Sequence, residues 1–492
     1  MKKTIRVRMN NQRDIDLVNE LISYDSELPW LEFKTNNSDP KTIGTLCSAI
    51  SNGARLMDRD YGYVLWGVDD ATHQIVGTTF QPHNENESNQ VLQFWLASRL
   101  KPDLVINFKN IHHDNGRVVL LEIPAAMTLP TAFDNIPYIR IGSATPKLAD
   151  HPSYHKKLIE SLRPYMWEQG IAKQYVTGDD VLGLIDYASY FRLNKQPLPD
   201  NRLGIFEKLA ADQLIVKDVA DKWNITNLGA ILFAADLNQF GSTLARKGVR
   251  VVAYDGCNKA SSVAHRNDSI RGYANAFENL ADYVNNILPA NEHIGDALRV
   301  VQPLFPKLAM RELIANALIH QDMTITGAGP QIELFKDRIE ITNPGRSLLQ
   351  PDRMIDLPPR SRNEMMASLM RRMGFCEEQG SGLDKVITEV EVFQLPPLLL
   401  RQAESSMQVI LYAPRTFANM TPDERIRACY QHAILKWLSG DRIKNSSLCD
   451  RFGIEKHNAA QATKVITQAQ KKGLIKPADL DHPRAGYVPY WA

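Results

Sequence analysis

Three polar residues that could activate water and hold a metal ion recur every four positions in the segment RELIANALIHQD, residues 311–322. At that spacing Glu312, Asn316 and His320 share one side of a helix, away from the apolar stripe of the same segment. A carboxylate can orient or deprotonate water, and a carboxamide oxygen is a neutral ligand suited to Mg2+. The pattern therefore predicts a helix with one reactive face, and the alternative is an ordinary solvated face.

The chain that follows predicts a hairpin and then a helix that opens on glycine. Residues 331–342 alternate with a period of two around a polar turn, which is typical of a hairpin. The sequence NPG at 343–345 then breaks the chain. Further on, GSG at 380–382 precedes an apolar-periodic segment, and glycines at a helix start expose N–H groups that suit phosphate. This order of elements is found in one class of ATPases.

Residues 249–414 resemble the ATP-binding module of the gyrase, Hsp90, histidine-kinase and MutL (GHKL) superfamily, on the segments RELIANALIHQD, DRIEITNPG, RNEMMASLMRRMG and EEQGSGLDKV. More closely, they resemble the RecG C-terminal-like variant of bacterial transcriptional regulators. The resemblance implies a Bergerat-type α/β sandwich in which Glu312 positions the hydrolytic water and Asn316 holds Mg2+ against the phosphates of ATP. The superfamily has Asp-Gly-Gly where this chain has NPG, and hydrolysis of the bound ATP is left open. We assign the remaining nucleotide contacts to His320, Asn343, Gly345, Gly380, Ser381 and Gly382.

Composition favours several globular domains. A chain of 492 residues is too long for one core, and its 44% hydrophobic and 23% charged residues are ordinary for a soluble protein. No apolar run approaches the length of a membrane span, and the charged N-terminus is not followed by the apolar core of a signal peptide. The five cysteines are scattered without a CxxC pair, so neither a disulfide framework nor a zinc site is predicted. We expect a cytoplasmic protein with no membrane partner.

Residues 14–161 resemble the Schlafen-type AlbA domain, a nucleic-acid-associated α/β domain. The resemblance rests on five short segments in order: EFK at 32–34, SNG at 51–53, GVDD at 67–70, IVG at 75–77 and YIRIGSAT at 138–145. Within it, Asp39 and Pro40 predict the cap and first turn of a helix, and residues 138–141 read as a strand.

Some Schlafen proteins use this domain as a metal-dependent RNase with two glutamates and an aspartate. By that resemblance Glu27, Glu32 and Asp69 would hold Mg2+ or Mn2+, and Lys34 would neutralise developing phosphate charge. Arg140 could contact phosphate from its strand. The alternative is structural: Glu27 caps a helix or faces water, Glu32 and Lys34 form an ion pair, Asp69 starts a turn, and Arg140 is a surface charge.

The C-terminal segment predicts a winged helix-turn-helix. Residues 421–492 hold 12 Lys+Arg against 7 Asp+Glu, a balance of +5. Helices at 425–438, 446–452 and 457–472 precede a polar loop and a short strand, and the third helix would enter the major groove. The alternative is a winged helix used for protein contacts. We assign nucleic-acid contacts to the exposed polar residues Lys456, Asn458, Gln461 and Lys464 and to the phosphate-binding residues Lys471 and Lys472.

We therefore expect an α+β multidomain protein with an AlbA-like domain at 1–165, a winged-helix-like connector at 166–243, the Bergerat-type sandwich at 244–415 and the winged helix at 416–492. The leading hypothesis is an ATP-binding regulator, of the bacterial transcriptional type, whose nucleotide state controls binding of DNA, with RNA as the alternative partner. Many proteins of the superfamily dimerise, which implies a homodimer or higher homo-oligomer. The rival is a metal-dependent Schlafen-like nuclease acting on RNA, tRNA or DNA in host defence, with the ATP module as sensor.

Overall fold

The computed structural model describes residues 2–87, 90–162, 166–288, 290–294, 299–358, 360–376, 382–479, 481–482 and 485–492. The chain divides into two compact units. The first unit comprises Met1–Met166 and Lys217–Lys222, and the second comprises Trp167–Val216 and Trp223–Ala492.

The first unit combines helices with a small central sheet. Its helices are α1 (Lys2–Ile22), α2 (Pro40–Leu56), α3 (Leu92–Arg99) and α4 (Pro152–Ser161). Its strands are β1 (Leu31–Lys34), β2 (Tyr61–Trp66), β3 (Asn86–Glu87), β4 (Gln90–Val91), β5 (Leu100–Lys101), β6 (Asn107–His113), β7 (Gly116–Pro124), β8 (Ala132–Phe133) and β9 (Ile136–Pro137).

The central sheet of this unit has the order β1-β2-β7-β6, and only β1 and β2 run parallel. Because strand side chains alternate between faces, the sheet supplies two cores. Val64 and Trp66 pack on the α2 side, whereas Leu65 packs on the α1 side. Helix α2 begins as predicted, since the Asp39 side chain accepts from the Thr42 amide and proline follows the cap.

The second unit carries the remaining elements. Its helices are α5 (Gly178–Leu184), α6 (Tyr187–Leu193), α7 (Arg202–Ala211), α8 (Asn227–Phe233), α9 (Ser242–Ala245), α10 (Tyr273–Ile287), α11 (Lys307–Ile319), α12 (Glu364–Arg372), α13 (Gly382–Val392), α14 (Pro422–Leu438), α15 (Asn445–Phe452) and α16 (Ala460–Lys471). Its strands are β10 (Ile171–Val176), β11 (Ile215–Lys217), β12 (Trp223–Thr226), β13 (Arg250–Tyr254), β14 (Val263–Asp268), β15 (Ala290–Ile294), β16 (Arg299–Pro303), β17 (Gln331–Leu334), β18 (Arg338–Pro344), β19 (Leu399–Gln402), β20 (Ser406–Tyr412), β21 (Ile475–Pro477) and β22 (Tyr487–Pro489).

A six-stranded sheet in the order β14-β13-β17-β18-β20-β19 dominates this unit. The predicted hairpin is present as β17 and β18, which pair antiparallel with Ile332 opposite Ile341. These inward residues join the buried sides of α10, α11 and α13 in one hydrophobic cluster. The sheet therefore places the end of β18 beside the polar row of α11, where the predicted site lies.

The C-terminal part has three helices followed by a two-stranded wing, as the sequence predicts. Thr421 and Glu424 form a reciprocal capping box at the start of α14. Gly453 ends α15 in the left-handed region at φ +60°, where glycine carries no steric cost. Strands β21 and β22 pair antiparallel. This is the arrangement of a winged helix-turn-helix.

The predicted α+β multidomain fold class is confirmed. The four domain boundaries stay a prediction. In the described parts of the chain, none of the helices combines the length and hydropathy needed to cross a membrane.

Candidate nucleotide site and nucleic-acid surfaces

A cavity of about 710 Å³ lies beside α11 in the second unit. Glu312, Asn316 and His320 line it from α11, Asn343 lines it from the end of β18, and Gly382 lines it from the start of α13. The structure therefore brings together residues that the sequence placed up to 70 positions apart. The sheet closes the cavity with the apolar side chains of Leu400, Met407 and Val409.

Helix α11 is held by burial of its apolar stripe and by a partner at its C-terminal end. Leu313, Ile314 and Leu318 are almost fully buried. The last carbonyls of a helix lack partners within the helix. Here the Asn363 side chain donates to the carbonyls of Ile319 and Gln321, both at 2.8 Å. Because Asn363 ends the β18–α12 connection (residues 345–363), these bonds tie that connection to the end of α11.

Glu312 and Asn316 are neighbours on the wall of the cavity. The Asn316 amide donates to a carboxylate oxygen of Glu312 at 3.4 Å. The start of α13 also presses against this carboxylate, since a Cβ on Gly382 would overlap it. Only glycine allows the first turn of α13 to approach so closely. The geometry therefore places a carboxylate, a carboxamide and the backbone of a helix start at one point.

His320 ends α11 on the same wall. Burial lowers the pKa of its imidazole below the ordinary value; a hydrogen bond with the backbone of Arg360 opposes this shift, and the positive charge of Arg362 adds to it. His320 is therefore neutral at neutral pH and offers a hydrogen bond to a ligand without adding a charge.

Asn343 and Gly345 play different parts at the turn after β18. Asn343 is buried and lines the cavity. Gly345 has φ +101° and donates its backbone N–H to the Ser405 carbonyl at 2.8 Å, but it is not among the lining residues. In this structure it shapes the turn, and its predicted contact with nucleotide stays a prediction. Gly380 and Ser381 lie outside the described residues.

Three arginines that the sequence reasoning did not assign also line the cavity. Arg360 and Arg362 belong to the β18–α12 connection, and Arg371 belongs to α12. Guanidinium groups bind phosphate oxygens through paired, charge-assisted hydrogen bonds. A signal was present in the basic run RSRN at 360–363, but nothing in the sequence alone placed it opposite α11.

The donors around the cavity fit a magnesium-bound nucleotide better than a metal ion alone. Within the described ranges, the structure contains no group of three or more His, Cys, Asp or Glu side chains that could hold a metal. Mg2+ commonly takes one or two protein ligands and completes its shell with phosphate oxygens and water. Asn316 and Glu312 match that requirement only when phosphates supply the remaining oxygens.

The N-terminal glutamates form an ion-pair network with a buried arginine. Glu27 accepts from the Phe33 amide at 3.0 Å and from the Arg140 guanidinium at 2.6 Å. Glu32 pairs with both Lys34 and Arg140. Burial raises the pKa of the Glu32 carboxyl, while the two cations oppose that shift. The Arg140 guanidinium thus supplies a positive charge to both glutamates that were predicted to hold a metal ion together with Asp69.

Asp69 and Arg140 are placed differently from their predictions. Asp69 closes its own turn by accepting from the Ala71 and Thr72 amides at 3.2 and 2.9 Å, and hydrogen bonds to Thr72 lower its pKa. Arg140 is only 2% exposed, so it does not offer its charge to a phosphate at the surface. The strand predicted at 138–141 is reduced to two isolated bridges. The turn at Asp69 and the Glu32–Lys34 ion pair match the structural alternative, whereas the buried Arg140 is not the surface charge of that alternative. A nuclease activity stays an untested prediction.

All the predicted contacts of the winged helix lie at the surface. Lys456 and Asn458 belong to a short 3-10 turn that precedes α16, whereas Gln461 and Lys464 lie on α16 itself. They are exposed, as are Lys471 and Lys472 beyond them. Lys472 pairs with Asp423 at 2.6 Å. The buried side of α16 consists of Ala462, Val465, Ile466 and Ala469.

Two segments of the chain match family models. Residues 27–149 match the family described as Schlafen, AlbA_2. Residues 327–411 match the family described as "Putative ATP-dependent DNA helicase recG C-terminal". Both resemblances are thereby confirmed. The RecG-type match begins after α11, so Glu312 and Asn316 lie outside it, whereas Asn343 and Gly382 lie inside it.

Two solved structures are similar to parts or all of the chain. The DIP2311 protein from Corynebacterium diphtheriae is 16% identical, with a TM-score of 0.41 over 93% of each chain. The N-terminal domain of a "Putative ATP-dependent DNA Helicase RecG-related Protein" from Nitrosomonas europaea is 26% identical, with a TM-score of 0.19 over 26% of this chain and 89% of that chain. No curated protein matches the chain.

Proposed function

We propose that the protein binds ATP with Mg2+ in the cavity beside α11 and that the bound nucleotide controls its affinity for nucleic acid. The observation that carries this proposal is the convergence of Glu312, Asn316, His320, Asn343 and Gly382 on one cavity of about 710 Å³. That volume lies within the range of small-molecule sites. The RecG-type and Schlafen-type matches support nucleotide binding in one segment and nucleic-acid association in the other.

The lining residues divide into groups that suit the parts of ATP. Leu400, Met407 and Val409 offer an apolar surface for the base, and the Asn343 side chain suits the adenine amino group. Arg360, Arg362 and Arg371 suit the phosphates. Asn316 would hold Mg2+, which when bound supplies charge neutralisation to the phosphates, and Glu312 would orient a water for hydrolysis.

The β18–α12 connection links this cavity to the C-terminal winged helix. The Asp352 carboxylate accepts from the Tyr490 hydroxyl at 3.1 Å, and the Asp352 carbonyl accepts from the Tyr430 hydroxyl at 3.0 Å. The neighbouring Arg353 guanidinium lies 4.6 Å from the ring centroid of Trp491. These contacts join the connection both to α14 and to the end of the chain.

The same connection also forms part of the cavity wall. Met354 and Leu357 line the cavity and lie within a few residues of the contacts to the winged helix. A ligand shifts a conformational equilibrium only by its difference in affinity between two states. If nucleotide holds the connection in one arrangement, the contacts of Asp352 and Arg353 transmit that arrangement to the winged helix. Linkage then requires nucleic acid to alter nucleotide affinity by the same factor.

Binding of mixed-sequence duplex DNA, measured across salt concentrations with and without Mg–ATP, tests the proposal. We expect Mg–ATP to change the affinity and Lys464→Ala to reduce the salt slope by about one unit. Lys259→Ala, at a lysine remote from α16 in sequence, is the matched control. An affinity for DNA that is the same with and without Mg–ATP would contradict control by nucleotide. An unchanged salt slope in Lys464→Ala would show that Lys464 on α16 does not contact the DNA backbone.

We also propose a homo-oligomer, supported only by the GHKL resemblance. Analytical ultracentrifugation with and without Mg–ATP tests it. A species with the mass of one chain, 55.5 kDa, under both conditions would contradict it.

A further inference from the structure

A second cavity of about 420 Å³ lies in the second unit between the β18–α12 connection and α14. Most of its wall is apolar. The apolar contributions come from Pro351, Ile355, Leu398, Leu400, Ile426 and Leu474. Leu400 lines the first cavity as well. The two cavities therefore share one strand residue, and the β18–α12 connection contributes to the walls of both.

Arg427 on α14 lines this cavity without a partner for its charge. Its Nε atom is buried and has no hydrogen bond, and among the described residues no ion pair reaches the guanidinium. Burial lowers the pKa of this group, and the neighbouring Tyr412, Glu424 and Asp423 oppose the shift. The Arg427 side chain is partly buried, and a cation withdrawn from water without a counter-ion is costly, so an unmatched guanidinium on a cavity wall points to an absent anion.

The acidic residues nearest in sequence are already engaged by other cations. Glu424 pairs with Arg415 at 3.1 Å, and Asp423 pairs with Lys472 at 2.6 Å. The charge of Arg427 is therefore the one left unbalanced among these groups.

The remaining polar groups on the wall have partners. Tyr430 donates to the Asp352 carbonyl and accepts from the Trp491 indole at 3.2 Å. The Gln431 amide donates to the Leu398 carbonyl at 2.8 Å. Lys472 and Asp423, which also line the cavity, pair with each other, and the Asp352 carboxylate accepts from the Tyr490 hydroxyl. Among the described residues, the Arg427 guanidinium is therefore the cation on this wall that lacks an ion-pair partner.

We propose that this cavity binds a small organic monocarboxylate whose apolar body packs against the aliphatic wall and whose carboxylate pairs with Arg427. A single negative charge matches a single guanidinium. A phosphate dianion fits less well, because the Asp352 carboxylate also lines the cavity and would repel the second charge, whereas the charges of Asp423 and Lys472 offset each other. The volume suits a compact ring or a short chain. This site is separate from the proposed nucleotide site and does not depend on it.

Calorimetry and thermal unfolding of the full chain test the proposal with phenylacetate and hexanoate as probes. Phenylacetamide, which has nearly the same shape without the charge, is the ligand control. We expect either carboxylate to bind and to raise the Tm of the wild type at up to about 10 mM, because a ligand stabilises the state that binds it. Phenylacetamide should bind at least roughly tenfold more weakly.

Arg427→Met removes the charge and keeps the apolar stem. It should weaken carboxylate binding roughly tenfold or more, and the ligand-free variant should unfold at the same or a higher temperature because an unpaired, partly buried charge is gone. Lys436→Met, on the same helix but outside the cavity, is the matched control and should bind like the wild type.

Two outcomes would overturn the site. One is that neither carboxylate binds the wild type at about 10 mM. The other is equal binding by the wild type and Arg427→Met, with circular dichroism showing that the variant is folded. If Arg427→Met fails to fold, Arg427→Lys, which keeps the positive charge, takes its place. Tighter binding of phenylacetate than of phenylacetamide by Arg427→Lys supports the pairing. Equal affinity of Arg427→Lys for the two ligands counts against it.

Discussion

Gly382 begins α13 in direct contact with the carboxylate of Glu312, at a distance that leaves no room for a Cβ atom. The two residues are far apart in sequence and come from two separate helices. Their contact fixes where the first turn of α13 meets the polar row of α11. This is the point at which phosphate would be bound if the cavity holds ATP.

The first prediction concerns that contact. Gly382→Ala would push the start of α13 away from Glu312, and we expect it to weaken Mg–ATP binding roughly tenfold or more. Gly183→Ala in α5 is the matched control, because a Cβ there meets nothing within 4 Å. Calorimetric titration measures both. Equal affinities in the two variants would show that the start of α13 does not contribute to the site.

The position of this site was largely accessible from the sequence. The four-residue spacing of Glu312, Asn316 and His320 predicted one helix face, and the turn at 343–345 predicted a break beside it. Local periodicity determines these features, so they need no knowledge of the fold. Arg360 and Arg362 were not assigned because they reach the cavity from an irregular connection, whose course is set by tertiary contacts such as those of Asn363. Arg371 was not assigned because the sequence does not show which face of α12 packs beside the cavity.

The N-terminal charges illustrate what the sequence could not decide. The local sequence around Arg140 does not distinguish an arginine that faces water from one that is buried beside carboxylates. The buried position of Arg140 depends on Glu27, which lies more than a hundred residues away in the chain. Asp69 follows β2 by three residues, and its carboxylate accepts hydrogen bonds from its own turn, a local interaction that the sequence could not distinguish from a site for a metal ion.

The second prediction concerns this buried network. Arg140→Met leaves the carboxylates of Glu27 and Glu32 without their shared cation, and removing one partner of a buried pair costs about 3–5 kcal/mol. We expect a loss of stability toward the lower end of that range, because Lys34 still pairs with Glu32. Urea unfolding measures it. Full stability together with weaker nucleic-acid binding would instead support a phosphate contact by Arg140.

The nuclease alternative has its own direct test on the same network. Incubation of the protein with tRNA or duplex DNA and Mn2+ shows whether it cleaves. Cleavage by the wild type that is lost in Glu32→Gln would support the nuclease alternative. Substrate that stays intact with both Mn2+ and Mg2+ would contradict it.

The third prediction concerns pH. Burial, assisted by the nearby Asp356 carboxylate, raises the pKa of Asp384 to about 6. The folded state therefore holds this proton more tightly than the unfolded chain, and stability falls as pH rises through about 6. Asp384→Asn removes the free-energy cost of ionising this carboxyl in the folded state. We expect it to stabilise the protein by about 1 kcal/mol at pH ~8, since solvent screens a half-buried group, and by nothing below pH ~4.

Denaturant unfolding at several pH values measures this effect. Asp450→Asn, at an exposed aspartate of α15, controls for the loss of one negative charge. A gain for Asp384→Asn that is the same at every pH would contradict the assigned cause.

The fourth prediction concerns the link between the nucleotide cavity and the winged helix. Tyr490→Phe removes the hydrogen bond to the Asp352 carboxylate. We expect Mg–ATP affinity to stay within roughly twofold of the wild type while the effect of Mg–ATP on DNA affinity diminishes. Tyr487→Phe on β22 is the matched control. Unaltered nucleotide control in Tyr490→Phe would mean that the coupling, if present, takes another route.

The central claim is that the polar row of α11 binds Mg–ATP, and calorimetric titration of the wild type, Asn316→Ala and Glu312→Ala with Mg–ATP tests it most directly. The account predicts binding by the wild type, loss of binding in Asn316→Ala with an unchanged unfolding temperature, and retained binding in Glu312→Ala. Phosphate release followed alongside should occur only in the wild type, if the bound ATP is hydrolysed. Equal affinity in the wild type and Asn316→Ala, or no binding by the folded wild type, would contradict the account.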